Sequence, residues 1–308
     1  MTGFLHRLVR SIAPGPFFYG VLRPVYHQFR ALRAARHFRD MYYGTQLRAL
    51  YPLIRQTGEL SNFTYDLTDR NLRYLAELIA VATSKSASEI ESYINEGIND
   101  PALRNWFDDR IQTWAGAKTS ANVRSPFGRR LGWYALARAI KPKVLIETGV
   151  DRGHGALILC AALLRNAAEG FPGHYYGTDL RPEAGYLLGG PYAAVGQILV
   201  GDSIESLKAF HESVDLFIND SDHSAEYEAD EYQVIAPKLS SRAIVLGDNA
   251  HATDKLARFS RKTNRHFLFF REEPKDHWYP GAGIGISFPK LEPCMVSKIQ
   301  VDVGEIQR

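Results

Sequence analysis

The stretch VLIETGVDRGHGALIL, residues 144–159, decides the fold. It opens with a short apolar run typical of a buried strand, continues through a turn containing Gly149, Gly153 and Gly155, and ends in an apolar helical segment. Strand, glycine turn and helix form the basic unit of a doubly wound α/β sheet. A dinucleotide-binding turn reads G-x-G-x-x-G, whereas this one reads G-x-x-x-G-x-G. The preceding acid, Glu147, would repel a pyrophosphate but suits a cationic ligand.

The same alternation continues along the chain on the C-terminal side of this unit. Seven short apolar runs predict strands, at residues 143–149, 174–180, 196–202, 214–220, 243–249, 266–272 and 283–289. Helical segments lie between the first and second runs and between the third, fourth, fifth and sixth, which predicts a mostly parallel, doubly wound sheet. No helix separates the last two, so we expect them to form an antiparallel pair. The prediction is an α/β fold with one seven-stranded sheet.

The N-terminal part of the chain differs from the rest. Residues 1–121 contain segments with helical periodicity and no strand signal, so we predict an N-terminal helical extension there. We expect this extension to serve oligomerisation or acceptor selection, and residues 122–308 to carry the sheet. A length of 308 residues agrees with one core plus an appendage.

Composition excludes several classes of protein. The net charge of +3 is small, and no nucleic-acid-binding signature accompanies it, so we expect no nucleic-acid partner. The sequence contains no run of about 18 apolar residues, so no membrane span is predicted. Two cysteines without a disulfide framework indicate a reducing compartment, so a cytoplasmic location is expected.

Residues 1–40 carry seven arginines and a single acid, Asp40. The favoured interpretation is a helical arm packed on the domain or on a second subunit, which suggests a homo-oligomer. The alternative is an arm that lies on an anionic membrane surface. The sequence alone does not decide between a packed arm and a peripheral membrane contact.

Polar residues follow the second and third predicted strands. Asp179 ends the second strand, and Asp202 with Ser203 follows the third. A lone Asp after a strand is often only a helix cap. Together with Glu147 on the first strand, however, these residues form a series at successive strand ends, which indicates a binding crevice.

The fourth and fifth strands end in a denser group of polar residues. The fourth delivers Asp220, Asp222 and His223, and the fifth delivers Asp248 and Asn249. Carboxylates this close together repel each other unless a cation, a proton or solvent separates them. The sequence therefore predicts a charged site at this edge of the sheet.

The glycine turn, read as E-T-G-x-x-x-G-x-G, resembles the first motif of the class I S-adenosylmethionine-dependent methyltransferases, and the likeness extends over residues 122–288. It implies a Rossmann-like fold with S-adenosylmethionine as the methyl donor. The donor-binding residues that it implies are Glu147, Gly149, Gly153, Gly155, Asp179 at the ribose, Asp202 and Ser203 at the adenine, and Asp220. In this family the first, fourth and fifth strands are neighbours, so Asp220, Asp248 and Asn249 would converge.

Those three side chains would suit Mg²⁺ or another hard divalent cation, because they supply two carboxylates and an amide oxygen. The arrangement is similar to that of the metal-dependent O-methyltransferases, including the catechol and caffeoyl-coenzyme A types. The D-x-D-H form resembles more closely the macrocin and mycinamicin sugar O-methyltransferases. The catechol type has a lysine where this chain has His223.

The resemblance implies methylation of a small-molecule hydroxyl, on a sugar or another compound of natural product biosynthesis. It implies a metal-bound acceptor oxygen and His223 as the general base, with His251 as the second candidate. The alternatives for Asp222 are a fourth metal ligand, a partner that orients His223 and a surface residue, and we expect it to lie just outside the set of metal ligands. Two alternatives remain: a non-catalytic subunit that keeps the donor-binding fold, and an enzyme for phenolic or lipid-linked acceptors.

Two further expectations concern the surroundings of this site. Acids after the fourth strand, Glu226, Glu228, Asp230 and Glu231, are expected to form a solvated helix face, because acids near a helix start favour its dipole. The loop that contains His277 and Trp278 is expected to be either a wall of the acceptor pocket or a plain hairpin connection.

Overall fold

The computed structural model describes residues 23–44, 64–114, 127–277 and 279–290. The chain divides into two compact units, residues 1–57 and 58–308. In the first unit the structure describes one helix, α1 (Arg23–Phe38), and the π-helical turn that follows it (Arg39–Tyr43). Within the described ranges, every helix is too short or too polar to cross a membrane.

The second unit is built on one seven-stranded sheet. Its strands are β1 (Val144–Thr148), β2 (His174–Asp179), β3 (Gly196–Val200), β4 (Val214–Asn219), β5 (Leu239–Gly247), β6 (Arg265–Arg271) and β7 (Gly283–Pro289). The order across the sheet is β3-β2-β1-β4-β5-β7-β6. The strands from β3 to β5 are parallel, and β7 is antiparallel to both β5 and β6. The predicted mostly parallel sheet and its terminal antiparallel pair are confirmed.

The register of the central strands brings their carboxyl ends level with one another. Thr148, the last residue of β1, is paired with Thr178 of β2 and with Asn219 of β4. Asn219 is in turn paired with Gly247, the last residue of β5. The residues that follow these four strands therefore emerge side by side at one edge of the sheet.

Helices cover both faces of the sheet. In the second unit they are α2 (Asp69–Thr83), α3 (Ala87–Ile98), α4 (Pro101–Thr113), α5 (Arg130–Ile140), α6 (His154–Ala168), α7 (Ser203–Ala209), α8 (Ala225–Ile235) and α9 (Lys255–Lys262). Apolar residues of α2 to α6 form one core with Leu145 of β1, and those of α7 to α9 form a second core with Ile146. Two adjacent residues of β1 thus face opposite cores, because strand side chains alternate between faces.

Helices α2, α3 and α4 belong to the same unit as the sheet. The predicted boundary between residues 121 and 122 lies outside the described residues, but the helices on either side of it share one core. A Cβ on Gly132 of α5 would lie 2.9 Å from a side-chain carbon of Leu75 of α2. Asn71 Nδ2 also donates a hydrogen bond, at 3.0 Å, to the carbonyl of Arg271 at the end of β6. The expected role of these helices in oligomerisation or acceptor selection stays a prediction.

Candidate active site

A cleft with a volume of about 720 Å³ opens where β1, β2, β4 and β5 end. Eight of the residues predicted from sequence line it: Gly149, Asp179, Asp202, Ser203, Asp220, His223, Asp248 and Asn249. His251, the second candidate base, lines it as well. The remaining three predicted residues, Glu147, Gly153 and Gly155, are buried and are not among the residues that line the cleft.

The glycine turn forms the floor of the cleft. It connects β1 to α6, and Gly149 has a φ of +79°, a conformation that residues with a Cβ rarely adopt. A Cβ at Gly149 would lie 2.0 Å from the backbone oxygen of Asp220. Gly149 therefore allows the ends of β1 and β4 to touch.

Glu147 and Gly155 support this floor from within the protein. A Cβ at Gly155 would lie 2.1 Å from Glu147 Oε1, so the glycine makes room for the carboxyl group. Glu147 is 1% exposed, and its Oε2 accepts a hydrogen bond of 2.5 Å from the hydroxyl of Tyr175. Burial raises the pKa of Glu147 to about 7 from its ordinary value of 4.5. In this structure Glu147 lies buried beneath the cleft.

Asp179 lies at one end of the cleft, where β2 stops. Its carboxylate accepts hydrogen bonds from the backbone N–H of Asp151 at 2.8 Å and of Arg181 at 2.9 Å. Arg181 Nη2 also donates to Asp151 Oδ1 at 2.7 Å, which links the glycine turn to the end of β2. Burial acts to raise the pKa of Asp179, but the hydrogen bonds from Arg181 outweigh it and lower the pKa below its ordinary value.

Asp202 and Ser203 form the next part of the wall. Asp202 caps α7 by accepting a hydrogen bond from the N–H of Glu205 at 2.9 Å. It also accepts a hydrogen bond of 2.8 Å from the hydroxyl of Tyr227, which in turn lies 2.9 Å from Ser203 Oγ. Asp202 is therefore both a helix cap and a cleft residue, two roles that the sequence left as alternatives.

The buried carboxylate of Glu231 holds the strand ends together behind the cleft. It accepts hydrogen bonds from Thr148 Oγ1 at 2.9 Å and from Ser221 Oγ at 2.7 Å. Ser203 Oγ and Asn219 Nδ2 also donate to it. Burial raises the pKa of Glu231 above its ordinary value, and the four hydrogen bonds, which act in the opposite direction, do not outweigh this effect. A single side chain thus connects β1, β4 and the start of α7.

The prediction of a fully solvated acidic face on α8 is wrong for two of its four residues. Glu226 and Asp230 are exposed, but Glu228 and Glu231 are completely buried. Glu228 accepts a hydrogen bond of 2.9 Å from Tyr232 and another from Thr253. Both buried acids accept hydrogen bonds from several side chains, which offsets the cost of burying a carboxylate.

Asp220 and Asp248 are brought together at the centre of the cleft. The N–H of Asp248 donates to the carbonyl of Asn219 at 3.0 Å, which holds the end of β5 against that of β4. Burial and the neighbouring carboxylate of Asp248 raise the pKa of Asp220 well above its ordinary value. Asp248 Oδ1 is buried without a hydrogen-bond partner.

Two arginines at the start of α5 partly compensate these acids, and the sequence analysis did not identify them. Arg129 Nη2 lies 2.7 Å from Asp248 Oδ2, and Arg130 Nη2 lies 4.0 Å from Asp220 Oδ2. Arg129 is also 4.0 Å from the buried carboxylate of Glu272. Both arginines line the cleft, so its centre carries carboxylates and guanidinium groups side by side.

His223 is held at the mouth of the cleft by Asn249. Its Nδ1 lies 2.5 Å from Asn249 Oδ1, so the predicted base and a predicted metal ligand are hydrogen-bonded to each other. Asp222 is exposed, and its Oδ1 accepts a hydrogen bond of 2.6 Å from the N–H of Ser224, which fixes the turn before α8.

An aromatic group contributes to the wall of the cleft. Tyr279 lines the cleft, and its ring centre is 5.9 Å from that of Tyr65. The ring of His277 is 5.2 Å from Tyr65, whose hydroxyl donates to Glu272. The predicted loop after β6 thus contributes to the cleft through Tyr279, while Trp278 lies outside the described residues.

This strand order, with a glycine turn after β1 and acids at the strand ends, defines a Rossmann-like methyltransferase fold. Residues 146–250 match the family model described as a methyltransferase domain. The match runs from β1 through Asn249 and covers about a third of the chain. No curated protein matches the sequence.

Solved structures of methyltransferases are similar in fold. The SAH-bound methyltransferase PaMTH1 from Podospora anserina has 17% identity and a TM-score of 0.45, over 67% of this chain and 95% of that one. The O-methyltransferase TomG from Streptomyces achromogenes, in complex with SAM, has 13% identity and a TM-score of 0.46, over 63% of this chain and 91% of that one. An O-methyltransferase from Bacillus cereus, in complex with SAH, has 12% identity and a TM-score of 0.44, over 65% of this chain and 100% of that one. At these values the likeness concerns the fold alone.

Proposed function

We propose that this protein is an S-adenosylmethionine-dependent O-methyltransferase that acts on a hydroxyl of a sugar or another natural product. One observation carries the proposal: a single cleft holds the glycine turn and Asp179 at one end and the His223–Asn249 pair at the other. A methyl donor and a hydroxyl acceptor need this arrangement, because the transfer requires the acceptor oxygen and the methyl group to be adjacent and in line.

The donor is proposed to lie along the ends of β1, β2 and β3. Asp179 would accept hydrogen bonds from the ribose hydroxyls, and Asp202 and Ser203 would contact the adenine. The sulfonium centre carries a positive charge, which the acidic centre of the cleft at Asp220 favours. Gly149 would leave room for the donor, because any side chain there would displace the end of β4.

His223 is proposed to accept the proton of the acceptor hydroxyl. When its Nδ1 donates to Asn249 Oδ1, its Nε2 carries the lone pair that can take a proton. The acceptor oxygen then bonds to the methyl carbon, the carbon–sulfur bond breaks with its electrons staying on sulfur, and the hydroxyl proton moves to His223. The products are the methyl ether and S-adenosylhomocysteine.

The residues fit a hard divalent cation at the centre of the cleft. Asp220, Asp248 and Asn249 offer oxygen ligands, and the unpartnered Asp248 Oδ1 is a free acceptor beside a second carboxylate. Among the described residues no cluster of three or more His, Cys, Asp or Glu side chains has metal-binding geometry, so water and acceptor would complete the coordination. When bound, Mg²⁺ would supply positive charge that favours loss of the acceptor proton.

The acceptor is proposed to pack against Tyr279. An aromatic side chain in the same cleft as a proton-accepting group suits the apolar face of a sugar ring, and it suits a phenolic ring as well. A panel of sugar, phenolic and lipid-linked hydroxyl compounds, scored by formation of S-adenosylhomocysteine, separates these acceptor classes. Donor binding without turnover on any acceptor would favour the non-catalytic subunit instead.

The test of the base uses two histidines of the same cleft. With an acceptor from the panel, His223→Gln is expected to lower kcat by about 10²- to 10⁴-fold and to leave donor affinity unchanged. His251→Gln, the matched control, should keep kcat within a few-fold of the wild type. Loss of activity in the control together with retained activity in His223→Gln would assign the base to His251.

A further inference from the structure

Helix α1 exposes a row of apolar side chains. Val25, Phe29 and Leu32 are spaced four and three residues apart, so they lie on one face of the helix. Their exposed fractions are 58%, 61% and 61%, although each belongs to a residue type that is normally buried. A contiguous apolar face of this kind marks a surface that contacts something else.

The rest of α1 is basic. Arg30, Arg33 and Arg36 are exposed, and the helix contains no acidic residue between its first and last positions. The guanidinium of Arg30 lies 5.8 Å from the ring centre of Tyr26. The next acid along the chain, Asp40, is paired with Arg39 at 2.7 Å. The partner of this helix must therefore supply negative charge as well as an apolar phase.

Charge distinguishes between the kinds of partner that could cover this face. Docking of the same helix from a second copy would place arginines against arginines, which is unfavourable. A nucleic acid would satisfy the arginines but would leave Phe29 and Leu32 exposed to water. An anionic lipid surface offers phosphate groups for the arginines and hydrocarbon for the apolar row.

We infer that α1 is an interfacial helix that binds this protein to membranes containing anionic lipids. With 16 residues the helix is about 24 Å long. It would lie in the plane of the headgroups, with Phe29 and Leu32 inserted and Arg30 and Arg33 at the phosphates. This inference concerns where the protein is held and does not depend on the proposed reaction.

The test is co-sedimentation of the full-length protein with two kinds of vesicle. One contains phosphatidylcholine alone, and the other contains phosphatidylcholine with roughly 30% phosphatidylglycerol, which gives an anionic surface potential. Binding is expected only to the anionic vesicles and should weaken as salt is raised. Neutralising one arginine, as in Arg33→Gln, should lower the partition coefficient about fivefold. The double variant Phe29→Ser/Leu32→Ser should lower it by more than tenfold.

Matched controls come from α2 of the second unit. Val81 is 61% exposed, as are Phe29 and Leu32, and Arg73 is also exposed, so Val81→Ser and Arg73→Gln change the same surface chemistry elsewhere. Neither control should alter vesicle binding. Equal loss in variants and controls, or no binding to anionic vesicles, would overturn the inference. So would conversion of a dimer into a monomer by the double variant, since a second copy would then cover this face.

Discussion

Replacing Glu147 with Gln should change how the stability of this protein depends on pH. The carboxyl group is buried beneath the cleft, and its pKa of about 7 means that the folded state holds its proton more tightly than the unfolded chain does. In the unfolded chain it ionises near its ordinary value of 4.5. Between these two values the folded protein binds more protons, so stability falls as pH rises. Glutamine has no proton to lose, and this contribution disappears.

The magnitude follows from the two pKa values. Each pKa unit corresponds to about 1.4 kcal/mol, so full ionisation of Glu147 costs ~3 kcal/mol. Most of this loss falls between pH 5 and pH 7, where the wild type should lose about 2 kcal/mol that the Gln variant keeps. His154 is also buried, and burial lowers its pKa to about 3, but it is present in both proteins and cancels in the comparison.

The assay is urea unfolding of wild type and Glu147→Gln at pH 5 and pH 7, followed by tryptophan fluorescence. The change of the free energy of unfolding with pH is compared, because the amide also alters the hydrogen bond with Tyr175 by a pH-independent amount. The surface substitution Glu77→Gln is the control and should leave the pH dependence unaltered. Because Glu147 is buried and is not among the residues that line the cleft, the Gln variant should still bind the donor. Identical pH dependence in wild type and variant, with tenfold weaker donor binding, would show that Glu147 is a ligand and not a structural acid.

Three other substitutions test the centre of the cleft. Gly149→Ala should weaken donor binding at least tenfold in isothermal titration, because its Cβ would overlap the backbone oxygen of Asp220 and the glycine φ is positive; unchanged affinity would refute the close contact of β1 with β4. Asp248→Asn should abolish the heat of Mg²⁺ binding measured by titration with S-adenosylhomocysteine present, whereas Asp222→Asn should not. If the wild-type protein shows no heat of Mg²⁺ binding and is fully active in the presence of a chelator, the cation has no part in the mechanism. Arg129→Gln should lower the free energy of unfolding by about 3 kcal/mol, since it leaves the buried Asp248 carboxylate unpaired; a loss below that of Arg130→Gln, whose acid is 4.0 Å away, would contradict this pairing.

The strands and the strand-end acids could be predicted from the sequence because both depend on local chemistry. Apolar runs bounded by glycine and polar residues mark strands, and β1 to β7 were found at these places. The parallel order then brings the residues after β4 and β5 to one edge. Because the family resemblance also implies that β4 and β5 are neighbours, Asp220 and Asp248 could be expected to meet before any coordinates were known.

The residues that surround these acids could not be predicted in the same way. Arg129 and Arg130 reach the cleft because α5 starts at this point, and their pairing with Asp248 and Asp220 is a tertiary contact. Glu272 is paired with Tyr65, more than 200 positions earlier, and no local pattern links them.

Glu231, by contrast, had a signal that could have been used. It lies next to Tyr232 and three residues after Glu228, and it is four residues before Ile235, so these residues share the apolar face of α8. Helical periodicity therefore placed both acids toward the sheet. The interpretation as a solvated face gave weight to their charge and overlooked their position.

The most direct measurement of the central claim is the crystal structure of this protein with S-adenosylhomocysteine. The proposal predicts the adenosine along Gly149, Asp179 and Asp202, with the sulfur facing the space between Asp220 and His223. A product bound elsewhere, or a sulfur that points away from His223, would contradict the claim that one cleft serves both donor and acceptor.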